Sequence, residues 1–463
     1  MLSANQQTAQ GVSLAQVLAT TLPAASDAVV TGCTTQARHA RPGDAFIAVA
    51  GDAVSQAEAA AEAIARGAAA VVADTLLPCC APQFTVADPL AAFGAICHEL
   101  VGRPSHTLPV TAVAGVAGKS TTLRLLHSIC QQAGQDVASA DDGRLDDGLH
   151  VRPLTTKQLT PAPVASWLAR SGANGCQHAL IESRAGGIEL AGSRIQTLCL
   201  VGPSINSAST NNAEAAINCL AGDGVIVAPH GSSTAIGESH RVFTYGQDPG
   251  ADLCGAVLER TNGGQTLLLR CGDETVAVEA PVVGDAFAMN CLAAAATAAA
   301  GGVSMVDIAR GLESAGRRID MMRAVVCGQP YSVYLDAAQS PAAVAAALRA
   351  TSGVTAGRVL VVVDLPGNPA LASRIVRAAG EDTVLVAPEA IGRSQQVSGV
   401  RWVEDRFSAV ALALALAEPG DAVLVLGSAK IEIDAGDPPP NEDVVRGLIR
   451  LRMKNEPAAG MVA

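Results

Sequence analysis

Ala114-Gly115-Val116-Ala117-Gly118-Lys119-Ser120-Thr121 is the stretch from which the rest of the chain is read. An apolar run, Leu108-Pro109-Val110-Thr111-Ala112-Val113, precedes it and reads as a buried strand. Leu123 to Ala133 follows, with Leu125, Leu126 and Ile129 at helical spacing. Strand, glycine-rich turn, Gly-Lys-Ser and helix is the layout of a phosphate-binding loop. The glycines let the backbone turn tightly and aim its N–H groups at an anion, and the helix N-terminus adds partial positive charge. Lys119 can then reach the outer phosphates as the catalytic cation, and the Ser120 hydroxyl can ligate Mg²⁺. The full pattern places a glycine five positions before Gly118, where this chain has Val113, so the loop is a shortened form. Gly115, Val116, Ala117, Gly118, Lys119, Ser120 and Thr121 are therefore the expected nucleotide-phosphate-binding backbone.

Outward from the loop, strands alternate with helices. His178-Ala179-Leu180-Ile181 reads as a strand ending in Glu182, with further strands at Ile195–Val201 and Gly224–Ala228. Alternation of this kind predicts a mostly parallel sheet, with ligands at the carboxyl ends of its strands. The loop and Glu182 both belong to that end. Glu182 is accordingly expected to hold Mg²⁺, directly or through water, or else to be a solvated loop acid or a partner for Arg184, the metal role being favoured beside a phosphate loop. Arg184 is a candidate for touching phosphate or for neutralising that acid. The polar stretch Ser139 to Gly148 reads as surface loop.

Before the loop, residues 12 to about 107 read as a small α/β unit closed by an Arg103-Pro104-Ser105 linker. Its strands are expected at Ala45–Val49 and Ala68–Ala73, and its helices at Gln56–Arg66 and around 90–101. After about residue 315 a third unit is expected. Its strands are Tyr331–Leu335, Val359–Val363, Thr383–Ala387 and Ala422–Leu426, and its helices lie at 342–350, 406–417 and 442–453. The third unit reads as Rossmann-like but lacks the Gly-x-Gly-x-x-Gly signature of dinucleotide sites.

Composition narrows the class. At 463 residues the chain is long enough for about three domains. A net charge of −12 without a basic stripe argues against nucleic-acid or anionic-membrane binding. Twelve cysteines scattered through apolar runs read as buried, reduced thiols of a cytoplasmic protein. Cys79 and Cys80 are adjacent, which does not suit a zinc site. Met1 to Gly11 lacks the charged start and apolar core of a signal peptide, and no apolar run has the length of a membrane span.

With these motifs in order, the chain resembles the Mur ligases, most closely the UDP-N-acetylmuramoyl-tripeptide synthetase branch, along nearly its whole length. Pro42–Ala48 and Ala63–Val72 look like the family's uridine-nucleotide domain, and Ala114–Thr122 matches its phosphate loop, missing glycine included. Glu182 falls where the family has its Mg²⁺ glutamate, and Thr160-Pro161 resembles a substrate-side motif. Gly284–Ala294, with Asn290, resembles the segment that touches adenine. Gly316–Asp320 and Asp336–Pro341 resemble the nucleotide-contacting start of the C-terminal domain. Either Arg317 or Arg318 is the family arginine, and Arg318 is favoured. Gly427–Glu432 and Asn441–Asp443 look like its closing motifs.

The resemblance implies an α/β fold of three domains: 1–107 for the nucleotide-linked substrate, 108–315 with the phosphate loop on a parallel sheet, and 316–463 as a Rossmann-like unit. It implies ATP and Mg²⁺ as cofactors, a UDP-muramoyl-peptide and an amino acid as substrates, and a monomer. The implied reaction phosphorylates a carboxylate with ATP and passes the acyl group to an amine.

Several family positions differ. Thr34-Thr35-Gln36 replaces an Asp-Ser-Arg, and Arg184-Ala185-Gly186 replaces a Ser-Ser-His run. Gly202-Pro203-Ser204 and Ser207-Ala208 stand for Thr-Asn-Leu and Asp-His. Ile217 stands near the carbamylated lysine, Gln339 stands for a histidine, and Asp364–Asn368 reduces a Gly-Gly-Asp-Arg motif. Pro388-Glu389-Ala390 lies near the amino-acid reader Asp-Asn-Pro-Arg. The ATP half is thus kept and the second-metal and acceptor half altered. This leaves two alternatives to an active peptidoglycan-precursor ligase. One is a catalytically degenerate paralogue that binds ATP and partners other Mur enzymes, and the other is a ligase acting on different substrates.

Overall fold

The computed structural model describes residues 11–19, 27–49, 51–141, 143–154, 159–184, 186–202, 207–232, 240–261, 264–280, 284–315, 323–336, 341–352, 355–363, 383–388, 400–426 and 442–455. Arg317, Arg318, Pro203, Ser204, Gln339, the 364–368 stretch, 389–390 and the 427–432 motif lie outside them. By its internal contacts the chain forms two compact units. One comprises 1–123 and 134–243, the other 124–133 and 244–463.

The first unit holds two sheets. In one, Gly32–Thr34, Asp44–Ile47, Ala70–Ala73 and Gln83–Thr85 lie side by side in chain order, all parallel. Helices Ala53–Ala65 and Pro89–Leu100 cover it, each started by an aspartate, Asp52 or Asp88, that accepts backbone N–H bonds of the first turn. Small residues build this core, with Ile47, Val72, Phe84 and Ile96 as its larger members. Arg103-Pro104-Ser105 is not the free linker expected from composition. Pro104–His106 is a 3₁₀ turn, and buried Ser105 accepts the Arg194 backbone N–H at 3.0 Å.

The other sheet positions the candidate site. Its parallel strands run in the order Val137–Ala140, His178–Glu182, Val110–Gly115, Ile195–Val201 and Leu220–Pro229. The loop strand is central, buried from Val110 to Ala114 as its unbroken apolar run requires. Stretch 139–148 corrects the surface-loop reading, since Val137–Ala140 and Arg144–Asp146 form an antiparallel hairpin extended by Val151–Pro153. Its polar residues are tolerated because the backbone satisfies them. Buried Asp147 accepts from the N–H groups of Leu149 and His150 and from Asn174 Nδ2. Trp167, fully buried on helix Pro161–Ala173, donates its indole N–H to the Asp146 carbonyl at 2.9 Å.

In the second unit the expectation of alternating strands and helices fails between 253 and 280. Leu253–Thr261, Gly264–Cys271 and Glu274–Ala280 make an antiparallel meander. One face packs Leu253, Leu267, Leu269 and Val278 while Leu258 and Leu268 face out, the period-2 pattern of a half-solvated sheet. Helices Asp285–Ala300 and Met305–Ala315 follow. Ser128, on the 124–133 segment, donates its hydroxyl to the Gly311 carbonyl at 2.9 Å. The last sheet runs Arg323–Ala324, Ser332–Asp336, Ala422–Leu426, Val359–Val363, Thr383–Pro388 and Val400–Val403, parallel except for the first pair. Val359–Val363 and Ala422–Leu426 are buried at every residue, as expected for inner parallel strands. Asp421 fixes the start of this sheet by accepting from the Arg358 backbone and guanidinium and from the Glu418 N–H.

Candidate active site

The site begins with strand register. Glu182 pairs with Val113 and Val201 with Gly115, so Glu182 and the phosphate loop reach the same sheet end. Gly115 has a φ of +141°, and a Cβ there would lie 2.0 Å from the Val201 carbonyl oxygen. Only glycine fits both the turn and the neighbouring strand. Gly118, at φ +86°, accepts the Thr122 N–H at 2.8 Å and so opens helix Lys119–Gln132. Val116 is exposed at the loop tip, whereas Ala117, Gly118, Lys119, Ser120 and Thr121 are half-buried.

Three side chains meet at the helix start. Ser120 Oγ donates to Glu182 Oε2 at 2.6 Å, and Lys119 Nζ lies 3.7 Å from Glu182 Oε1. The carboxylate is buried. Sheet pairing continues past it, with the Ser183 N–H donating to the Val113 carbonyl at 2.9 Å. A hydroxyl and a carboxylate oxygen at this separation suit adjacent positions of an octahedral Mg²⁺, about 2.9 Å apart for bonds near 2.1 Å. The donor set therefore fits the metal. Among the described residues there is no cluster of three or more His, Cys, Asp or Glu side chains that would hold a metal without outside ligands. Substrate phosphates and water would have to complete the shell, which is the usual Mg²⁺ arrangement.

Behind this cluster lies a layer that sequence reading did not single out. The Arg184 backbone N–H donates to buried Glu189 Oε1 at 2.9 Å. Burial pushes the Glu189 carboxyl above its ordinary range, opposed by hydrogen bonds from Arg184 and Ser183 and by the Arg184 charge. Glu189 sits between Ile188 and Leu190 with no motif to mark it. Lower in the sheet, Thr111 Oγ1 and His178 Nε2 are 2.7 Å apart, joining the loop strand to the Glu182 strand. Burial lowers the His178 pKa to about 4, so the ring is neutral there. His178 thus ties two strands together as a buried neutral ring.

The remaining predicted residues lie on other elements. Thr160 is the exposed N-cap of helix Pro161–Ala173, without a side-chain capping bond. Ile217, where the resemblance calls for a lysine, packs its half-buried side chain against the core of the loop-bearing sheet. In the second unit, Asn290 is half-buried in the second turn of helix Asp285–Ala300, and Asp336 ends strand Ser332–Asp336 at its carboxyl end.

The chain is similar to known proteins in sequence and in fold. Residues 317–429 match the Mur ligase, glutamate ligase domain. The UDP-N-acetylmuramoyl-L-alanyl-D-glutamate--2,6-diaminopimelate ligase of Rhizobium meliloti (strain 1021) is 28% identical over 442 residues, spanning 86% of this chain and 88% of that protein. The enzyme of the same name from Geobacillus thermodenitrificans (strain NG80-2) is 25% identical, over 84% of this chain and 88% of its own. In fold, the chain is similar to a solved UDP-N-acetylmuramoyl-L-alanyl-D-glutamate--2,6-diaminopimelate ligase, with a TM-score of 0.65, 18% identity and coverage of 96% and 100%. It is also similar to the MurF ligase from Thermotoga maritima in complex with ADP, with a TM-score of 0.53, 14% identity and coverage of 92% and 98%. By the C-terminal domain match, the relatives that run along most of its length and the shared fold, the chain is similar to the Mur ligases, and residues 317–429 are a Mur ligase, glutamate ligase domain.

Proposed function

We propose that the chain is an ATP-dependent acid–amino acid ligase of peptidoglycan precursor synthesis, acting in the cytoplasm. It would add an amino acid to a UDP-N-acetylmuramoyl-dipeptide through an acyl phosphate. The observation that carries the reading is the meeting of Ser120, Lys119 and Glu182 at the mouth of a phosphate loop, in a chain whose full-length relatives are named as such ligases.

The chemistry asks the protein to hold several anions at one point. Backbone N–H groups from Gly115 to Thr121 and the helix N-terminus face the triphosphate. Lys119, now held by Glu182, would turn to the outer phosphates and neutralise charge as a carboxylate oxygen bonds to the γ-phosphorus and ADP departs. An amine would then form the amide bond as inorganic phosphate leaves. When bound, Mg²⁺ held by Ser120 and Glu182 would supply further charge neutralisation at the phosphates. Asn290, Arg318 and Asp336 are our candidates for the nucleotide, and Thr160 and Arg184 for the acceptor side. We divide the chain at about 107 and 315 into substrate, ATP and amino-acid regions.

The test is phosphate release and product formation by purified protein with Mg²⁺, UDP-N-acetylmuramoyl-dipeptide and diaminopimelate or lysine, beside Lys119→Ala. Phosphate release that needs both substrates and is lost in Lys119→Ala supports the ligase. ATP binding abolished by Lys119→Ala, with no product from any acceptor, would replace it with the degenerate paralogue. No ATP binding at all would sink the reading of the loop.

A further inference from the structure

We propose that Cys33 and Cys97 form a modification site, a thiol pair that closes to an intramolecular disulfide when the protein meets a low-molecular-weight disulfide. Their sulfurs stand 3.4 Å apart in an S–H···S contact, although 64 positions separate them in the chain. Cys33 lies on the edge strand Gly32–Thr34 and is partly exposed. Cys97 is buried on the inner face of helix Pro89–Leu100, within the core under that sheet. A disulfide needs sulfurs about 2.05 Å apart, so closure moves them together by about 1.4 Å, within the reach of side-chain rotation. Other cysteines of the same unit direct their sulfurs elsewhere. Cys79 donates to Gln83 and Ala81, Cys176 to the Asp147 carbonyl and Cys219 to the Leu190 carbonyl.

The difference in exposure sets the order of events. The Cys33 sulfur attacks the oxidant, forming a mixed disulfide and releasing one small thiol, which takes up a proton. The Cys97 sulfur then attacks Cys33 Sγ, loses its own proton and displaces the second small thiol. The protein loses two hydrogens and gains one S–S bond, and the oxidant is reduced to two thiols. Contact with Cys97, burial and the nearby Asp44 carboxylate all push the Cys33 thiol up, so its thiolate is scarce and the first attack is slow. The product would tie the first strand to its covering helix. This inference rests on the first unit alone and stands apart from the ligase reading.

The test treats native full-length protein with glutathione disulfide, quenches with N-ethylmaleimide under denaturing conditions, and counts free thiols by intact mass. We expect two thiols to be lost to a cross-link without added mass, apart from any glutathione adduct on the exposed Cys80, and dithiothreitol to restore all twelve. Digestion without reductant should yield one cross-linked species containing Cys33 and Cys97. Cys97→Ser should stop at a glutathione adduct on Cys33, whereas Cys33→Ser should leave Cys97 unmodified. A wild-type count that stays at twelve, or lost thiols that map to another pair, overturns the proposal without reliance on either variant.

Discussion

Glu182→Gln separates the two partners of the candidate metal site while preserving its shape. The wild-type carboxylate lies 3.7 Å from Lys119 Nζ and accepts the Ser120 hydroxyl at 2.6 Å. At an effective dielectric near 20, unit charges at that separation attract by about 4–5 kcal/mol. The Lys119 side chain keeps 18% of its exposure, so water returns much of this when the carboxylate is lost. A net change of about 1–2 kcal/mol is the reasonable expectation for one charge-assisted contact. The amide still accepts from Ser120, so the fold should survive. Two effects on ATP then oppose each other. Without metal, the triphosphate neither faces a carboxylate nor competes with it for Lys119, and binding should tighten about 5–30-fold. With Mg²⁺, the site lacks its anionic ligand, and binding should weaken about tenfold or more. The diagnostic quantity is the ratio of dissociation constants in EDTA and in Mg²⁺, measured by titration calorimetry on the full chain. It should fall about a hundredfold in the variant. An unchanged ratio would refute the placement of Glu182 at the metal, whatever happened to turnover.

Other expectations follow from the same structure. Gly115→Ala places a Cβ 2.0 Å from the Val201 carbonyl oxygen, so it should cost at least about 2 kcal/mol of unfolding free energy, read as a lower urea midpoint, and weaken ATP binding. Gly134→Ala, at φ +75° with open space around it, should cost about 1 kcal/mol and leave ATP affinity alone. His98 and His178 are each lowered to about 4, first by burial and for His98 also by the His106 charge. Unfolded histidine binds protons from about pH 6.5, so the unfolded chain holds more protons between pH 6.5 and 4. Stability should be complete above about pH 7 and decline through that window, by at most about 3 kcal/mol per ring. Urea midpoints should decline less steeply in His178→Gln, and an identical slope would count against its buried neutral ring. Asp421→Ala strands the Arg358 and Glu418 donors and should cost about 2–3 kcal/mol, read as a lower melting temperature of the second unit.

Much of the fold was legible because inner parallel strands declare themselves. Ile195–Val201, Val359–Val363 and Ala422–Leu426 occupy the boundaries their apolar runs predict. The loop was legible because Gly118-Lys119-Ser120 joins a strand to a helix, and Glu182 because it terminates a strand beside it. The hairpin at 139–146 was not, since Asp141 and Asp147 are buried polar residues whose satisfaction comes from backbone N–H groups. The 253–280 meander escaped because half-buried antiparallel strands carry only alternating hydrophobicity. Contacts such as Thr111 with His178 join positions far apart in the chain, and no local pattern encodes them.

The approach of helix Pro89–Leu100 to the turn at 191–192 bears on how this protein can be cut. A Cβ on Gly94 would lie 2.3 Å from the Ala191 carbonyl, and one on Gly192 would lie 2.2 Å from the Gly94 carbonyl carbon. Two backbones touch there with no side chain between them. Ala165, from beyond the loop, completes the core of the first sheet, and Ser193 bonds the buried His98 ring. Residue 107 is thus a seam in the sequence that the packing does not respect. A fragment ended at that seam would expose a glycine-lined groove and an unfilled core position. The N-terminal region is therefore a poor graft, and a chimera that exchanges it with a relative must carry residues 161–194 along with it.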